Sequence, residues 1–266
     1  MGSTLKIKSS SSIDNIEEIF SYIEDFEKKY SRFIEWNYLS QINNGEIKNI
    51  ENICREMIKL SLEVSKLSEG YFDITISPIL EEIWYWKKIW ENITWYQNIE
   101  LNWNNLNLNW TRIEFGSIWK WYIVDYIFNK ISKKSDKVII DFWWDIKFKW
   151  DFKILLENPF NQEEAIWTYN WKNIALASSS WSKRKIWKKH HLVSAKSWES
   201  IEEVIWVYVS HKNAIIADVF STAIFVSPLE VWIRILSKVS WLEWMIITQN
   251  SIYRSENYLW ELFEKK

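Results

Sequence analysis

The sequence predicts an α+β fold, with mixed or antiparallel sheets and flanking helices. Two observations lead there: apolar spacing alternates between helical and strand periods without a regular βαβ repeat, and asparagine-centred turn signals interrupt the middle third. No Pro-, Ser- or Gly-rich linker divides the 266 residues, a length near the upper limit for one core. We therefore expect one domain over 1–266, with a possible seam near 135–160.

The elements follow in order. After a short first strand, Ser12 stands as N-cap to a helix in which Ile16, Ile19, Phe20, Ile23, Phe26 and Tyr30 recur at helical spacing. A second helix is expected from about Ile47 through Ile50, Ile53, Met57, Val64 and Leu67 to a C-cap glycine at Gly70. Strands and hairpins fill the chain up to Glu114. From Gly116 to Lys133 the pattern reads as a turn and helix, with Ile123, Ile127, Phe128 and Ile131 inward. Short strands are expected at 138–142, 146–148, 152–156, 165–168, 174–177 and 204–209. Helices at about 214–226 and 228–239 precede a last strand at Met245-Ile246-Ile247-Thr248.

Charge and composition exclude several classes. With 33 basic and 35 acidic residues, and Lys/Arg only in short clusters such as Lys183-Arg184-Lys185 and Lys188-Lys189, there is no nucleic-acid footprint. Cys54 is the single cysteine and cannot form an internal disulfide; it shares an apolar helix face with Ile50, Ile53, Met57 and Ile58. No run of 18 apolar residues is present to span a bilayer, and the start MGSTLKIKSS lacks an apolar signal region.

Glycine and tryptophan usage is anomalous. There are 4 glycines and 22 tryptophans, whereas glycine alone ordinarily makes up about 7% of a chain. Tight turns and helix C-caps need a residue without Cβ. Here Asn102-Trp103, Asn109-Trp110 and Asn170-Trp171 stand where Asn-Gly would signal a hairpin, because a type I′ turn requires positive φ at both central residues. Trp143-Trp144 follows the apolar strand Val138–Phe142 and precedes Asp145, where a glycine pair would let the chain reverse close to a ligand. We read these tryptophans as UGA codons that the source organism translates as glycine. The competing reading is a genuine Trp-rich surface of the kind that stacks on sugars.

With glycine in mind, the motifs align over essentially the whole chain. Met1-Gly2-Ser3, Ser31-Arg32-Phe33 and Leu39-Ser40-Gln41-Ile42-Asn43 come first, followed by Gly70-Tyr71-Phe72-Asp73-Ile74-Thr75-Ile76-Ser77-Pro78. Next come Glu114-Phe115-Gly116-Ser117-Ile118-Trp119-Lys120-Trp121-Tyr122-Ile123-Val124-Asp125 and Asp141-Phe142-Trp143-Trp144-Asp145. Ser179-Ser180-Trp181, His190-His191-Leu192-Val193 and Ala217-Asp218-Val219-Phe220-Ser221-Thr222-Ala223 complete the series. In order and spacing they resemble the FAD:protein FMN transferase family, known as ApbE, which implies its T-fold-like architecture. Four positions depart from the family pattern: Ser194-Ala195 replaces Asp-Pro, Ser197 replaces Thr, and Glu114 replaces Asp.

The resemblance implies attack of an acceptor Ser or Thr hydroxyl on the FMN-side phosphorus of FAD, with loss of AMP. Phosphoryl transfer of this kind needs a divalent cation against the pyrophosphate, and oxygen ligands suit Mg²⁺. Asp218 and Thr222, four apart, share a helix face and could offer one ion a carboxylate and a hydroxyl; alternatively Asp218 pairs locally. The family pattern makes both ligands, adds the Ser117 carbonyl, and makes Asp218 and Lys120 the catalytic pair. Lys120 follows a turn into a helix, a place where backbone N–H groups and a cation meet phosphate. By the same resemblance Met1, Tyr71, Phe72, Asp73, Glu114, Lys120, His191 and Leu192 contact the nucleotide.

The expected partners are FAD and an acceptor flavoprotein with a Ser/Thr flavinylation site, with no nucleic acid and no transmembrane segment. The alternative is a relative that binds or hydrolyses FAD without modifying a protein. As written the chain is expected in the cytoplasm; it would be membrane-associated or exported if its true start lies upstream.

Overall fold

The computed structural model describes residues 4–80, 95–142, 145–158, 165–180, 185–186, 189–190, 192–199, 202–239, 241–256 and 260–262. One sheet organises the molecule. Its strands run in the order β1 (Leu5–Ser9), β4 (Val138–Phe142), β5 (Ile146–Glu157), β6 (Ala165–Ser180), β9 (Val204–His211), β10 (Glu243–Thr248) and β11 (Ile252–Arg254), and β12 (Trp260–Leu262) also pairs with β6. Every described pairing is antiparallel. Two hairpins stand apart, β2 (Glu100–Asn102) with β3 (Asn105–Asn107), and β7 (Lys185–Ile186) with β8 (Lys189–His190).

The helices are α1 (Ile16–Tyr30), α2 (Tyr38–Asn43), α3 (Asn52–Leu67), α4 (Trp119–Ile131), α5 (Ala214–Phe225) and α6 (Leu229–Lys238). They bury one face of the sheet in a core that includes Phe26, Met57, Trp121, Phe142, Val207, Phe220 and Ile235. A smaller cluster of Phe148, Ile174, Trp206, Tyr208, Met245 and Ile247 covers part of the other face. Because β9 lies between the two clusters, seven of its eight residues are buried and its sequence reads as an unbroken apolar run. Among the described residues no helix is long and apolar enough to cross a membrane.

Four expectations are corrected by tertiary context. α1 starts at Ile16, not after Ser12: Asn15 is the N-cap at φ 56 and its carbonyl accepts from Glu18 and Ile19, a left-handed conformation that asparagine tolerates. α3 starts at Asn52, because the Ile47–Ile50 stretch pairs instead with the β2–β3 hairpin through Ile50 N–H to Asn104 O (2.7 Å) and Leu106 N–H to Lys48 O (2.8 Å). Asn170-Trp171 is not a turn; it lies inside β6, with Asn170 opposite Lys153 and Trp171 opposite Phe152. For the same reason the strands expected at 146–148 and 152–156 form one strand, bulged where Trp150 takes φ 96 and its N–H donates to Asn173 Oδ1.

Of the other turn readings, Asn109-Trp110 and Gly70 agree with the backbone, whereas the Asn102-Trp103 turn is shifted by one residue because Asn102 pairs with Asn105 as the last residue of β2. Trp103 is the first residue of the two-residue β2–β3 loop at φ 52. Asn109 and Trp110 take φ 44 and 71, closed by Thr111 N–H to Leu108 O, the type I′ geometry that Asn-Gly signals. Glu69 and Gly70 take φ 54 and 84 just after α3, and Gly70 N–H returns to Ser65 O. Trp143-Trp144 lies outside the described residues.

Candidate active site

The site assembles where α4 and α5 meet the ends of β5 and β6. Residues Phe115 to Ile118 form a turn whose Phe115 carbonyl accepts from Ile118 and Trp119. That turn launches α4 and puts Lys120 in its first turn, with Ser117 just ahead of it. Lys120 Nζ lies 3.4 Å from Asp145 Oδ2 at the start of β5. The β4–β5 connection brings Asp145 there, with Phe142 N–H donating to the Asp145 carbonyl (2.9 Å).

On α5, Asp218 and Thr222 stand one turn apart, and only 7% of Asp218 is exposed. Burial pushes the Asp218 carboxyl well above the usual range, the nearby Asp145 carboxylate adds to the shift, and Lys120 opposes it. Burial also raises Asp145, against the pull of Lys120 and a backbone hydrogen bond from Ser178. Two buried carboxylates and one lysine thus share a small volume. Ser179 on β6 joins them, its Oγ 2.8 Å from Ser221 Oγ and 3.5 Å from Thr222 Oγ1. Among the described residues no donor reaches the Asp218 carboxylate, and no group of three His, Cys, Asp or Glu is present that could hold a metal. A buried carboxyl that no described donor reaches, beside a hydroxyl, fits a hard divalent cation.

Glu114 is held from several sides. Its N–H donates to Ile74 O (2.9 Å), and its Oε2 accepts from Gly116 N–H (2.9 Å) and pairs with Arg32 Nη1 at 3.8 Å. Asn43 fixes the preceding residue by bonding both Ile113 N–H (2.8 Å) and Ile113 O (3.0 Å). Gly116 is required by this arrangement, since a Cβ there would sit 2.6 Å from Glu114 Oε2.

The remaining expected residues divide. Asp73 is buried with both carboxylate oxygens engaged, Oδ1 by Thr75 N–H and Oγ1 and Oδ2 by Tyr96 N–H, so it shapes its loop. Burial raises its carboxyl despite those donors. Phe72 is in the core, whereas Tyr71 is half-buried, with Lys196 Nζ 4.9 Å from its ring centroid. Leu192 packs at the edge of the core. Met1 and His191 lie outside the described residues. Ser194 organises its turn: its Oγ accepts from Lys196 N–H (3.2 Å) and Ser197 N–H (3.1 Å). Arg32, Asn43, Asp145 and Ser179 belong to the assembly although they were not expected as site residues; each lies in a motif already picked out, and only the fold shows what it faces.

The chain has the α+β fold, an antiparallel sheet with flanking helices, that solved ApbE structures share. The ApbE family model matches residues 1–246, and the chain belongs to that family. The fold is similar to that of the ApbE protein of Thermotoga maritima, at TM-score 0.80 and 22% identity over 96% of this chain and 94% of that one. The flavinyl transferase ApbE of Pseudomonas stutzeri superposes at TM-score 0.78 with 17% identity, covering 96% and 92% of the two chains. The flavin transferase ApbE of Vibrio cholerae gives TM-score 0.78 at 16% identity over 97% and 96%. A comparison with curated protein sequences gives no match.

Proposed function

We propose that the chain transfers FMN from FAD to a Ser or Thr hydroxyl of an acceptor protein and releases AMP. The observation that carries this reading is the convergence of Lys120, Asp145, Asp218 and Thr222 at one end of the sheet in a chain of the ApbE family. The acceptor oxygen forms the new bond to the FMN-side phosphorus, the bond from that phosphorus to the bridging oxygen breaks with that oxygen departing on AMP, and the hydroxyl proton is released to solvent. Asp218, Thr222 and the Ser117 carbonyl would hold Mg²⁺, which when bound neutralises charge on the pyrophosphate.

Lys120, at the head of α4, is placed to receive a phosphate oxygen alongside the first N–H groups of the helix. Asp145 keeps the ammonium oriented. Glu114, clasped by Arg32 and Gly116, and Tyr71, stacked beside Lys196, offer the nucleotide a carboxylate and an aromatic face; Met1, His191 and Leu192 complete the reading. Mixing the protein with FAD, Mg²⁺ and a candidate acceptor peptide tests it. AMP together with a covalently yellow peptide is the expected result. AMP with free FMN would make the chain an FAD hydrolase, and flavin binding without AMP would make it a carrier.

We further propose that many of the tryptophans are glycine in the protein as its own organism makes it. Among the described residues nine non-glycine positions take positive φ, and five of them are tryptophan: Trp36, Trp103, Trp110, Trp150 and Trp198. Indoles have no reason to gather in a conformation that glycine alone enters freely. Intact mass of the protein purified from its source, read against its codons, decides the matter; UGG at these five codons overturns the proposal.

A further inference from the structure

The geometry points to Asp125 as a positioning residue that fixes α5, and with it Asp218 and Thr222, against the helix that carries Lys120; the inference rests on the transfer reading above. The first N–H groups of a helix have no intrahelical partner, and a side chain at the N-cap usually supplies one. At α5 the N-cap is Asn213, whose side chain makes no such bond. The acceptor comes from α4 instead: Ala214 N–H donates to Asp125 Oδ1 (3.0 Å) and Ile215 N–H to Asp125 Oδ2 (3.2 Å). A carboxylate at this end of a helix is also favoured by the helix dipole.

A third element completes the device. Lys147 on β5 is buried and its Nζ pairs with Asp125 Oδ1, so the ammonium balances a carboxylate that is itself largely shielded. Asp125 therefore joins α4, which carries Lys120, α5, which carries Asp218 and Thr222, and β5, which Asp145 directly precedes. Along α5, Asp218 follows the capped Ala214 by four residues, about 6 Å of helix rise. A slide of α5 by a fraction of a turn would pass directly to both ligands. Phosphoryl transfer depends mainly on alignment, and displacements near 1 Å cost roughly 100-fold in rate.

The test compares Asp125→Ala and Asp125→Asn with Lys149→Ala in the full chain. Lys149 Nζ binds the carbonyls of Ser132 and Ser135 just beyond the far end of α4 and makes no bond to α5, so its removal reports what loosening that end alone does. Asp125→Ala is expected to lower kcat for AMP release at least about 100-fold and to raise the Mg²⁺ concentration needed, with FAD affinity changed less than threefold. Asp125→Asn keeps an acceptor for one N–H and should recover part of the loss; it carries the test if the alanine variant does not fold. Lys149→Ala should lower Tm with kcat kept. Unchanged kcat in both Asp125 variants, or equal kcat loss in Lys149→Ala, overturns the inference alone. Absence of AMP release by the unsubstituted chain removes the transfer reading and this inference with it.

Discussion

Glycine at Trp36, Trp103, Trp110, Trp150 and Trp198 together is expected to stabilise the chain, although loss of five aromatic side chains ordinarily does the reverse. The reason is where the indoles sit: all five are exposed, from 45% at Trp198 to 96% at Trp110, and all five backbones lie between φ 52 and 96. Each such conformation costs a residue with a Cβ about 1–3 kcal/mol, and little buried area is surrendered. Trp150 is the least clear gain, because Lys137 Nζ stands 4.8 Å from its ring centroid, a contact worth about 0.5–1 kcal/mol at an exposed site. Against this, glycine's greater unfolded-state entropy costs about 0.5–1 kcal/mol per site. The five changes should still sum to several kcal/mol, a large share of the roughly 5–15 kcal/mol that holds a domain together. Urea unfolding measures this as a rise in midpoint at constant slope. Trp232→Gly is the opposing control: its side chain is buried and its ring meets Tyr253 at 5.5 Å, so its removal should cost about 3–5 kcal/mol. A five-site variant whose midpoint stays or falls would refute the backbone argument.

Three further outcomes follow from the site and the sheet. Asp218→Ala should abolish metal-dependent AMP release while leaving the unfolding midpoint near that of the parent; metal-dependent turnover that persists would remove the assignment. Gly116→Ala should displace the Glu114 carboxylate, since the new Cβ would lie 2.6 Å from Oε2. Because that carboxylate is the end of a flexible chain, we expect weaker FAD binding, read by flavin fluorescence, with Tm changed by only a few degrees. Glu243, at the start of β10, has a buried Oε2 that finds no hydrogen-bond partner among the described residues, and burial pushes its carboxyl up to about 7. A raised folded-state value means the associated stability is fully present below about 4.5 and is lost as pH rises through about 7. Glu243→Gln should therefore raise Tm at pH 8 and leave it nearly unchanged at pH 4.5, and equal shifts at both values would contradict the assignment.

Periodicity along the chain was enough to find the amphipathic helices, the buried strand β9 and the two C-terminal helices, because each is written in the spacing of its own side chains. The need for positive φ was legible in the same way: Asn109-Trp110 forms the turn its chemistry signals, and the Asn102-Trp103 signal falls one residue ahead of the loop in which Trp103 takes positive φ. The family motifs likewise placed Lys120, Asp218 and Thr222 on helices before any contact was known. What local spacing could not contain is the partner of each element. Asn170-Trp171 has a turn signal, yet β5 pairs with it from a distance and holds it in a strand. Ile47–Ile50 has helical spacing, yet the β2–β3 hairpin takes its backbone hydrogen bonds. Asp145 drawn against Lys120 and Asp218, Asn43 clasping Ile113, and Asp125 capping a helix 89 residues away depend on groups brought together only by sheet pairing and core burial. Residue type and spacing thus determined the chemistry available to this chain, while long-range packing decided which of those groups face one another.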